Sequence, residues 1–263
     1  MSFAFLKETI RNTLSQPALM FCFILQIAIL AFIAFGLSFE YHNNVLVSIS
    51  VLGKEPLEGE SLFVLRRIIM DFVQLGLTIF MFLFIIGTSA SFSELFKDPL
   101  LNILLTKKYS RSQLFCSRYV GVVASIFILQ IIFSVLLISI FFIKTGQGFL
   151  WIILPITITP VLHFLILASL NGLLSVLFEN VTAVIVVSLS IYYFNSFLTA
   201  GTALHNPLLK ILSLLFPPFS LINRIFIEYI LYGYSDIKFP YYCFIYAACY
   251  LLVAILLFKR RDL

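Results

Sequence analysis

The sequence contains few charged residues. Of its 263 residues, 17 are Lys or Arg and 12 are Asp or Glu, which is 11% of the chain, against about 25% in an average soluble domain. With 62% hydrophobic residues, this shortage excludes an ordinary water-soluble globule and a disordered chain. The net charge of +5 is explained by the positive-inside bias of membrane proteins, so we expect no nucleic acid as a partner.

Residues that hold metals or carry out catalysis are also scarce. The chain has 4 cysteines and 3 histidines, without a CxxC pair and without a His at ligand spacing, which argues against a zinc site. No GxxxxGK[ST] phosphate-binding loop is present, and no nucleophile–base set or carboxylate pair falls within the apolar stretches. We therefore predict a chain that is not an enzyme, with no catalytic residue, metal or cofactor of its own.

Charge is absent from six stretches that together make up about half of the chain. They are Ala18–Ser38, Phe72–Ser91, Tyr119–Ile143, Phe149–Phe178, Val181–Thr199 and Tyr241–Phe258. A helix that crosses the bilayer core needs about 20 apolar residues, with a range of about 17 to 25. The sequence therefore predicts an all-α polytopic membrane protein with six transmembrane helices. The lack of charge inside them disfavours a gradient-driven carrier, because intramembrane charges usually mark ion or proton pathways.

The distribution of basic residues predicts the orientation in the membrane. With six spans both termini share a side, and that side carries ten of the 17 Lys and Arg residues in short segments. The other seven are spread over longer loops on the opposite side. Since basic residues are enriched on the cytoplasmic side, we expect both termini in the cytoplasm.

Residues 1–17 show a helical pattern before the first span. The apolar positions are Phe3, Leu6, Ile10 and Leu14, and the opposite face carries Lys7, Glu8, Arg11 and Asn12. This spacing of three and four predicts a short amphipathic helix in the cytoplasmic interface. A frayed terminus is the alternative. Pro17 is suited to the first position of the spanning helix that follows.

The segment 92–118 between the second and third spans is predicted to contain a further short helix. Asp98-Pro99 is typical of a helix start, and Thr106-Lys107-Lys108 places positive charge at the end. The residues between them are apolar and include Leu101, Leu104 and Leu105. Such an apolar helix in a charged loop predicts a surface that docks another protein, and the alternative is a helix that rests on the bilayer.

Three other segments carry local predictions. Pro155 and Pro160 predict a kink in the fourth span. The apolar run Val45–Leu52 is too short to span and predicts a strand or an interfacial turn. In the region 200–240, two half-length apolar segments surround Pro217-Pro218. They predict a re-entrant hairpin or interfacial helices on the outer face, with a broken seventh span as the alternative.

Two motifs resemble those of a known family. Arg111-Ser-Gln-Leu-Phe-Cys-Ser-Arg118-Tyr-Val-Gly121, preceded by Leu100–Thr106, resembles the segment between the second and third spans of ABC-2-type transporter permeases. The ending Phe258-Lys-Arg-Arg-Asp-Leu263 resembles the family's Phe-x-Arg-Arg-Asp-Leu terminus. The chain departs from the family where Pro99-Leu100 replaces Gly-Thr and Lys108 replaces Pro. The family's acidic residue corresponds to Glu94 or to Asp98.

The resemblance extends over the whole chain when the topology is included. It implies one transmembrane permease domain, 1–263, of the ABC-2 (type V exporter-like) fold, with an N-terminal elbow helix at 1–17, a coupling segment at 92–118 and a hairpin at 200–240. Within the family, the chain is most similar to permeases such as the membrane subunit of the nitrous-oxide-reductase maturation transporter. The implied location is the bacterial inner membrane.

The resemblance also implies a function and partners. The chain would couple ATP hydrolysis by two separate ABC ATPase subunits, which bind Mg-ATP, to export or to an outward conformational change. A second copy would complete a homodimer, and an extracytoplasmic accessory protein is a further candidate partner. The implied ATPase-coupling residues are Glu94, Asp98, Pro99, Leu101, Leu104, Leu105, Arg111 and Arg118. The alternative function is a membrane subunit that transmits motion to an outer partner without moving a substrate.

Overall fold

The computed structural model of the protein describes residues 3–42, 45–54, 61–96, 110–146, 150–203, 207, 216–217, 219–232 and 239–260. Of these residues, 88% are helical. The helices are α1 (Phe3–Leu14), α2 (Pro17–Ala31), α3 (Ser61–Glu94), α4 (Arg111–Thr145), α5 (Leu150–Phe178), α6 (Val181–Ala203), α7 (Phe219–Tyr232) and α8 (Phe239–Arg260). Two strands, β1 (Leu37–His42) and β2 (Val45–Val51), lie between α2 and α3.

Five of the described helical segments are long and apolar enough to cross a membrane. They are Pro17–Gly36, Phe63–Glu94, Arg111–Thr145, Ile156–Phe178 and Tyr241–Arg260. The expected fifth span lies in α6. Its apolar part, Val181–Asn195, is shorter than the five candidate spans. The chain is thus mostly helical, with five candidate spans that agree with a polytopic membrane protein, and the sixth span stays a prediction.

The helices α3 and α4 are longer than the bilayer core. They contain 34 and 35 residues, and at about 1.5 Å per residue each is about 50 Å long, whereas the core is about 30 Å thick. In α3 the extra turns precede the charge-free stretch that begins at Phe72. Arg66 and Arg67 belong to these turns, so the helix carries them outside its apolar part.

The first span ends earlier than predicted and leads into a β-hairpin. After α2, a wide π-helical turn covers Phe32–Gly36, and β1 then pairs antiparallel with β2 from Leu37↔Val51 to His42↔Val45. The prediction of helix as far as Ser38 was wrong at this end. The strand alternative for Val45–Leu52 is confirmed over Val45–Val51, and the otherwise helical fold therefore includes one small sheet.

The two chain ends meet at one end of the helical bundle. The Phe258 ring, near the end of α8, lies 5.5 Å from the rings of Phe96, after α3, and Phe115, in α4. The Thr13 hydroxyl of α1 lies 3.4 Å from the Ser91 hydroxyl of α3. The described ends of the chain therefore share a side with the boundaries of segment 97–109. That this side faces the cytoplasm stays a prediction.

The central helix is α5. In the part of α5 that forms a candidate span, 72% of the residues are buried, against 22% to 47% in the other four candidate spans. Asn171, which is completely buried, donates to the Thr88 hydroxyl of α3 and accepts from the Ser188 hydroxyl of α6. These hydrogen bonds join three helices in the interior of the bundle.

Two serines on α6 allow the contribution of this network to be measured. Ser188 donates across helices to Asn171, whereas Ser190 is exposed and donates to Val186 of its own helix. Interhelical hydrogen bonds in membrane proteins contribute on average about 0.6 kcal/mol and at most about 1.7. We expect Ser188→Ala to lower the thermal unfolding midpoint in detergent and Ser190→Ala to leave it unchanged. Equal midpoints for the two variants would contradict the proposed role of the network.

Pro155 and Pro160 are both accommodated within the continuous helix α5. Proline has no N–H, so Pro160 leaves the carbonyl of Ile156, four residues earlier, without its helical partner. The side chain of Gln130 in α4 supplies one instead, because its Nε2 donates to Ile156 O at 3.1 Å. The side-chain oxygen of Gln130 accepts from Gln26 Nε2 of α2 at 3.5 Å.

The region before the last span contains the short helix α7. The Asn195 carbonyl oxygen of α6 accepts from the backbone N–H and the hydroxyl of Ser220 at 3.0 Å each. Its amide donates to Pro217 O, so that Asn195 fixes the start of α7. Within α7, Arg224 and Glu228 form an ion pair one turn apart, with Nε 2.8 Å from Oε1. The first half of the expected hairpin lies largely outside the described residues.

Candidate functional site

Five polar side chains meet where α3 ends and α4 begins. We call this cluster the joint, and its members are Thr13, Gln16, Ser91, Glu94 and Arg118. Glu94 and Arg118 lie at the two sides of segment 97–109, which was expected to dock an ATPase. The joint therefore lies where motion of that segment would enter the helices.

Arg118 supplies a hydrogen-bond donor to the C-terminal end of α3. The last four carbonyls of a helix have no partner within it. Here Phe92 O accepts from Leu95 N and Ser93 O accepts from Phe96 N, both at 3.2 Å, while Ser91 O accepts from Arg118 Nε at 2.9 Å. A positive charge at a helix C-terminus is also favourable for the helix dipole. Arg118 thus attaches α4 to the backbone of α3.

Glu94 connects this attachment to the N-terminal helix. The side chain of Arg118 is 7% exposed and its Nη2 lies 4.0 Å from Glu94 Oε2, which offsets part of the cost of burying a charge. The Glu94 carboxylate, 52% exposed, also accepts from Gln16 Nε2 at 3.3 and 3.4 Å. The sequence predicted both charged residues, and the structure brings them together.

The helix α1 packs closely against α4. Thr9 and Thr13 are completely buried. A Cβ atom added at Gly121 would lie 2.5 Å from Thr9 Cγ2 and 2.8 Å from Thr9 Cβ, so only glycine allows this approach. One turn further along α4, the Ser125 hydroxyl lies 3.5 Å from Ile10 O. The N-terminal helix is therefore held by α4 at close range and by α3 through Ser91.

The predicted N-terminal helix is present as α1, but the face that it buries differs from the expectation. The structure has Leu6, Ile10 and Leu14 partly exposed and Lys7 and Arg11 exposed, and Phe3 lies in α1 with its side chain outside the described part. The completely buried side chains are Thr9 and Thr13. Their spacing of four places them on one face of α1, and Gln16 follows three residues after Thr13, beyond the end of that helix. This polar stripe was the signal that the sequence reasoning missed.

The other predicted coupling residues are divided between described and undescribed parts of the chain. Asp98, Pro99, Leu101, Leu104 and Leu105 lie outside the described residues. Arg111 is the first residue of α4 and is partly buried. The Ser110 hydroxyl accepts from Gln113 N at 3.3 Å, and the Gln113 side chain accepts from Ser110 N at 3.2 Å. This capping box, visible as S-x-x-Q, fixes the helix start at Arg111.

The C-terminal motif is attached to the same end of the bundle. Phe258 is completely buried, and its ring contacts Phe96 and Phe115 at 5.5 Å. Phe115 in turn lies 5.8 Å from Phe92. The end of α8, the end of α3 and the start of α4 thus form one aromatic contact region beside the joint.

Within the described ranges, no group of three or more His, Cys, Asp or Glu side chains is placed to hold a metal ion. No protein-family model matches the sequence, and no curated protein matches it either.

Proposed function

We propose that the chain is the transmembrane permease subunit of an ABC transporter, driven by two separate ATPase subunits that bind Mg-ATP. The observation that supports this proposal is the joint. It connects both sides of segment 97–109 to each other and to the N-terminal helix, through Arg118, Glu94 and Gln16. A segment that receives force from another protein must be connected in this way to the helices that it moves.

The hydrogen bonds of the joint define the path that the motion would take. Arg118 holds the last turn of α3, so a push on segment 97–109 reaches α3 and α4 together. The close contact between Gly121 and Thr9 carries α1 with them. Closure of the two ATPases would thereby shift these helices as one unit, and in a homodimer the interface between the two copies would open towards the outside.

A charge reversal at Arg111 tests this proposal. Arg111 lies at the end of the expected docking segment, and its replacement by Glu leaves the contacts of Arg118 in place. With the full-length chain co-expressed with the cassette ATPases of its own genome, we expect one ATPase to be retained on affinity purification. We expect Arg111→Glu to lower the retained ATPase and its ATP hydrolysis in vesicles at least five-fold.

The control is Arg67→Glu, an exposed arginine near the start of α3, at the other end of that helix from the joint. It changes the net charge by the same amount, and we expect it to retain the ATPase as the original chain does. Failure of every cassette ATPase to bind the unmodified chain would refute the proposed function. An equal loss with both variants would show that the effect comes from net charge rather than from docking at segment 97–109.

A further inference from the structure

The N-terminal helix α1 has a buried face and an apolar flank beside it. Thr9 and Thr13 are completely buried against the bundle. Successive residues of a helix lie about 100° apart around its axis, so the partly exposed Leu6, Ile10 and Leu14 follow one another along a flank next to the buried face. The buried face fixes α1 to the protein, and the flank is open to the surroundings.

The basic residues of α1 lie along the outer border of this flank. Lys7 and Arg11 are four residues apart and are both exposed, and this spacing places them on the same side of the helix. Glu8 is also exposed, but it lies about 60° beyond Arg11, further from the apolar flank. Around the exposed part of α1 the order is therefore apolar, then positive, then negative.

The contacts of α1 place it at the level of the membrane interface. The charge-free stretch of α4 begins at Tyr119, and α1 contacts α4 at Gly121 and at Ser125. At about 1.5 Å per residue, these two positions lie about 3 Å and about 9 Å beyond Tyr119. Amphipathic helices at a membrane surface bury their apolar face by about 5–10 Å, so the depth of α1 matches that of an interfacial helix.

Two helices in contact with α1 expose apolar side chains. On α2 this side chain is Phe21, and on α4 they are Val120 and Phe127. These residues belong to candidate spans, which lipid tails surround in a membrane. The apolar flank of α1 therefore continues a lipid-covered surface, and Lys7 and Arg11 lie at its border, where the head groups begin.

We infer that α1 carries a binding site for the head groups of anionic phospholipids in the leaflet at the joint end of the bundle, with the lipid phosphates against Lys7 and Arg11. Long basic side chains reach the head groups while their stems cover apolar surface, and an anionic leaflet attracts them. Because Thr9 is packed against Gly121, α1 holds the two charges in fixed positions. The site does not depend on ATPase coupling, so it stands or falls separately from the proposed function.

Photolabelling of the full-length chain tests the inference. The chain is placed in nanodiscs of phosphatidylglycerol and phosphatidylcholine in equal amounts, and one lipid at a time carries a diazirine close to its head group. Mass spectrometry then maps the labelled peptides. A basic residue near an anionic surface favours the anionic lipid by about five-fold, so we expect phosphatidylglycerol to label α1 at least five-fold more than phosphatidylcholine. High salt should reduce this preference.

Charge variants separate this site from the net charge of the protein. The double variant Lys7→Gln, Arg11→Gln should label equally with the two lipids. The matched control Lys54→Gln, Arg67→Gln removes the same charge from exposed positions near the hairpin, and it should keep the preference of the original chain. The variant Lys7→Arg, Arg11→Lys keeps both charges and should keep the preference as well.

A disulfide cross-link shows whether α1 stays in place in these variants. Ile10 O and the Ser125 hydroxyl are 3.5 Å apart, so Ile10→Cys and Ser125→Cys, in a chain without its native cysteines, should cross-link equally in all of them. Loss of the cross-link in the Lys7, Arg11 double variant to Gln would show that the charges hold α1 in place instead, and would overturn the inference.

Three other results would also overturn it. The first is equal labelling of α1 by the two lipids in the original chain. The second is a preference for phosphatidylglycerol that survives in the double variant Lys7→Gln, Arg11→Gln, or that is lost equally in the control Lys54→Gln, Arg67→Gln. The third is equal labelling by the two lipids together with a bound cassette ATPase that only the first double variant loses, which would assign the two charges to that protein.

Discussion

Replacement of Arg118 by methionine is expected to lower the thermal unfolding midpoint and to uncouple the end of α3 from α4. Methionine keeps the length and apolar stem of the side chain but removes the donor to Ser91 O. An unsatisfied buried carbonyl costs about 1–3 kcal/mol, and the variant also loses the charge beside Glu94. The midpoint of the detergent-solubilised protein, followed by a thermal aggregation assay, measures the loss.

Arg118→Met should weaken the ATP-driven motion of the helices more than its loss of thermal stability explains. If the joint transmits motion, the variant should still retain the ATPase. Its response to ATP, measured as the change in distance between spin labels placed on α3 of the two copies, should be at least ten-fold smaller. Arg118→Lys keeps the charge without the Nε donor, so an intermediate result is expected. Arg260→Met, at the exposed end of α8, is the control. An unchanged distance response in Arg118→Met would show that the joint does not transmit motion.

Replacement of Gly121 by valine is expected to displace α1 from the bundle. Even the first added carbon would lie 2.5 Å from Thr9 Cγ2, closer than packed carbon atoms approach, so α1 must move away as a whole. The contacts of Thr13 with Ser91 and of Ile10 with Ser125 would then be lost. A disulfide between Ile10→Cys and Ser125→Cys, in a chain without its native cysteines, should form at least five-fold less efficiently in the variant.

A compensating change makes this second prediction specific. Thr9→Gly removes both atoms that would lie within 3.0 Å of a Cβ at position 121 and leaves only an ordinary contact with Leu6 Cδ1 at 3.6 Å, so the double variant Thr9→Gly, Gly121→Val should restore the cross-link. Thr9→Gly alone is the matched control for the loss of helix propensity in α1. Persistence of the cross-link in Gly121→Val alone would refute the close packing of α1 on α4.

The helices were largely predictable from the sequence because their signal is local. A charge-free run of about 20 residues identifies a span wherever its neighbours lie. The end of the first span was misplaced for the same reason: apolar residues continue through Leu37, and an apolar run alone does not distinguish a helix from a strand. The turn at Phe32–Gly36 depends on packing, which periodicity does not show.

The joint was predictable only in part. Glu94 and Arg118 were identified from motifs near one loop, but their partner Gln16 is 78 residues away from Glu94. The burial of Thr9 depends on the glycine that α4 places opposite it, and no spacing within α1 indicates that glycine. Likewise, the sequence marked Pro160 as a kink site, but only the packed helices show that Gln130 of α4 donates to the Ile156 carbonyl that Pro160 leaves without a helical partner.

The unusual length of α3 has a mechanical consequence. One of its ends is fixed to α4 at the joint, and the other follows the β-hairpin about 50 Å away. A stiff rod of that length amplifies small rotations: a tilt of about 5° at the joint moves the far end by about 4 Å. The hairpin would travel with it, so a slight rearrangement at the arginine-capped end would appear as a displacement on the opposite face of the membrane.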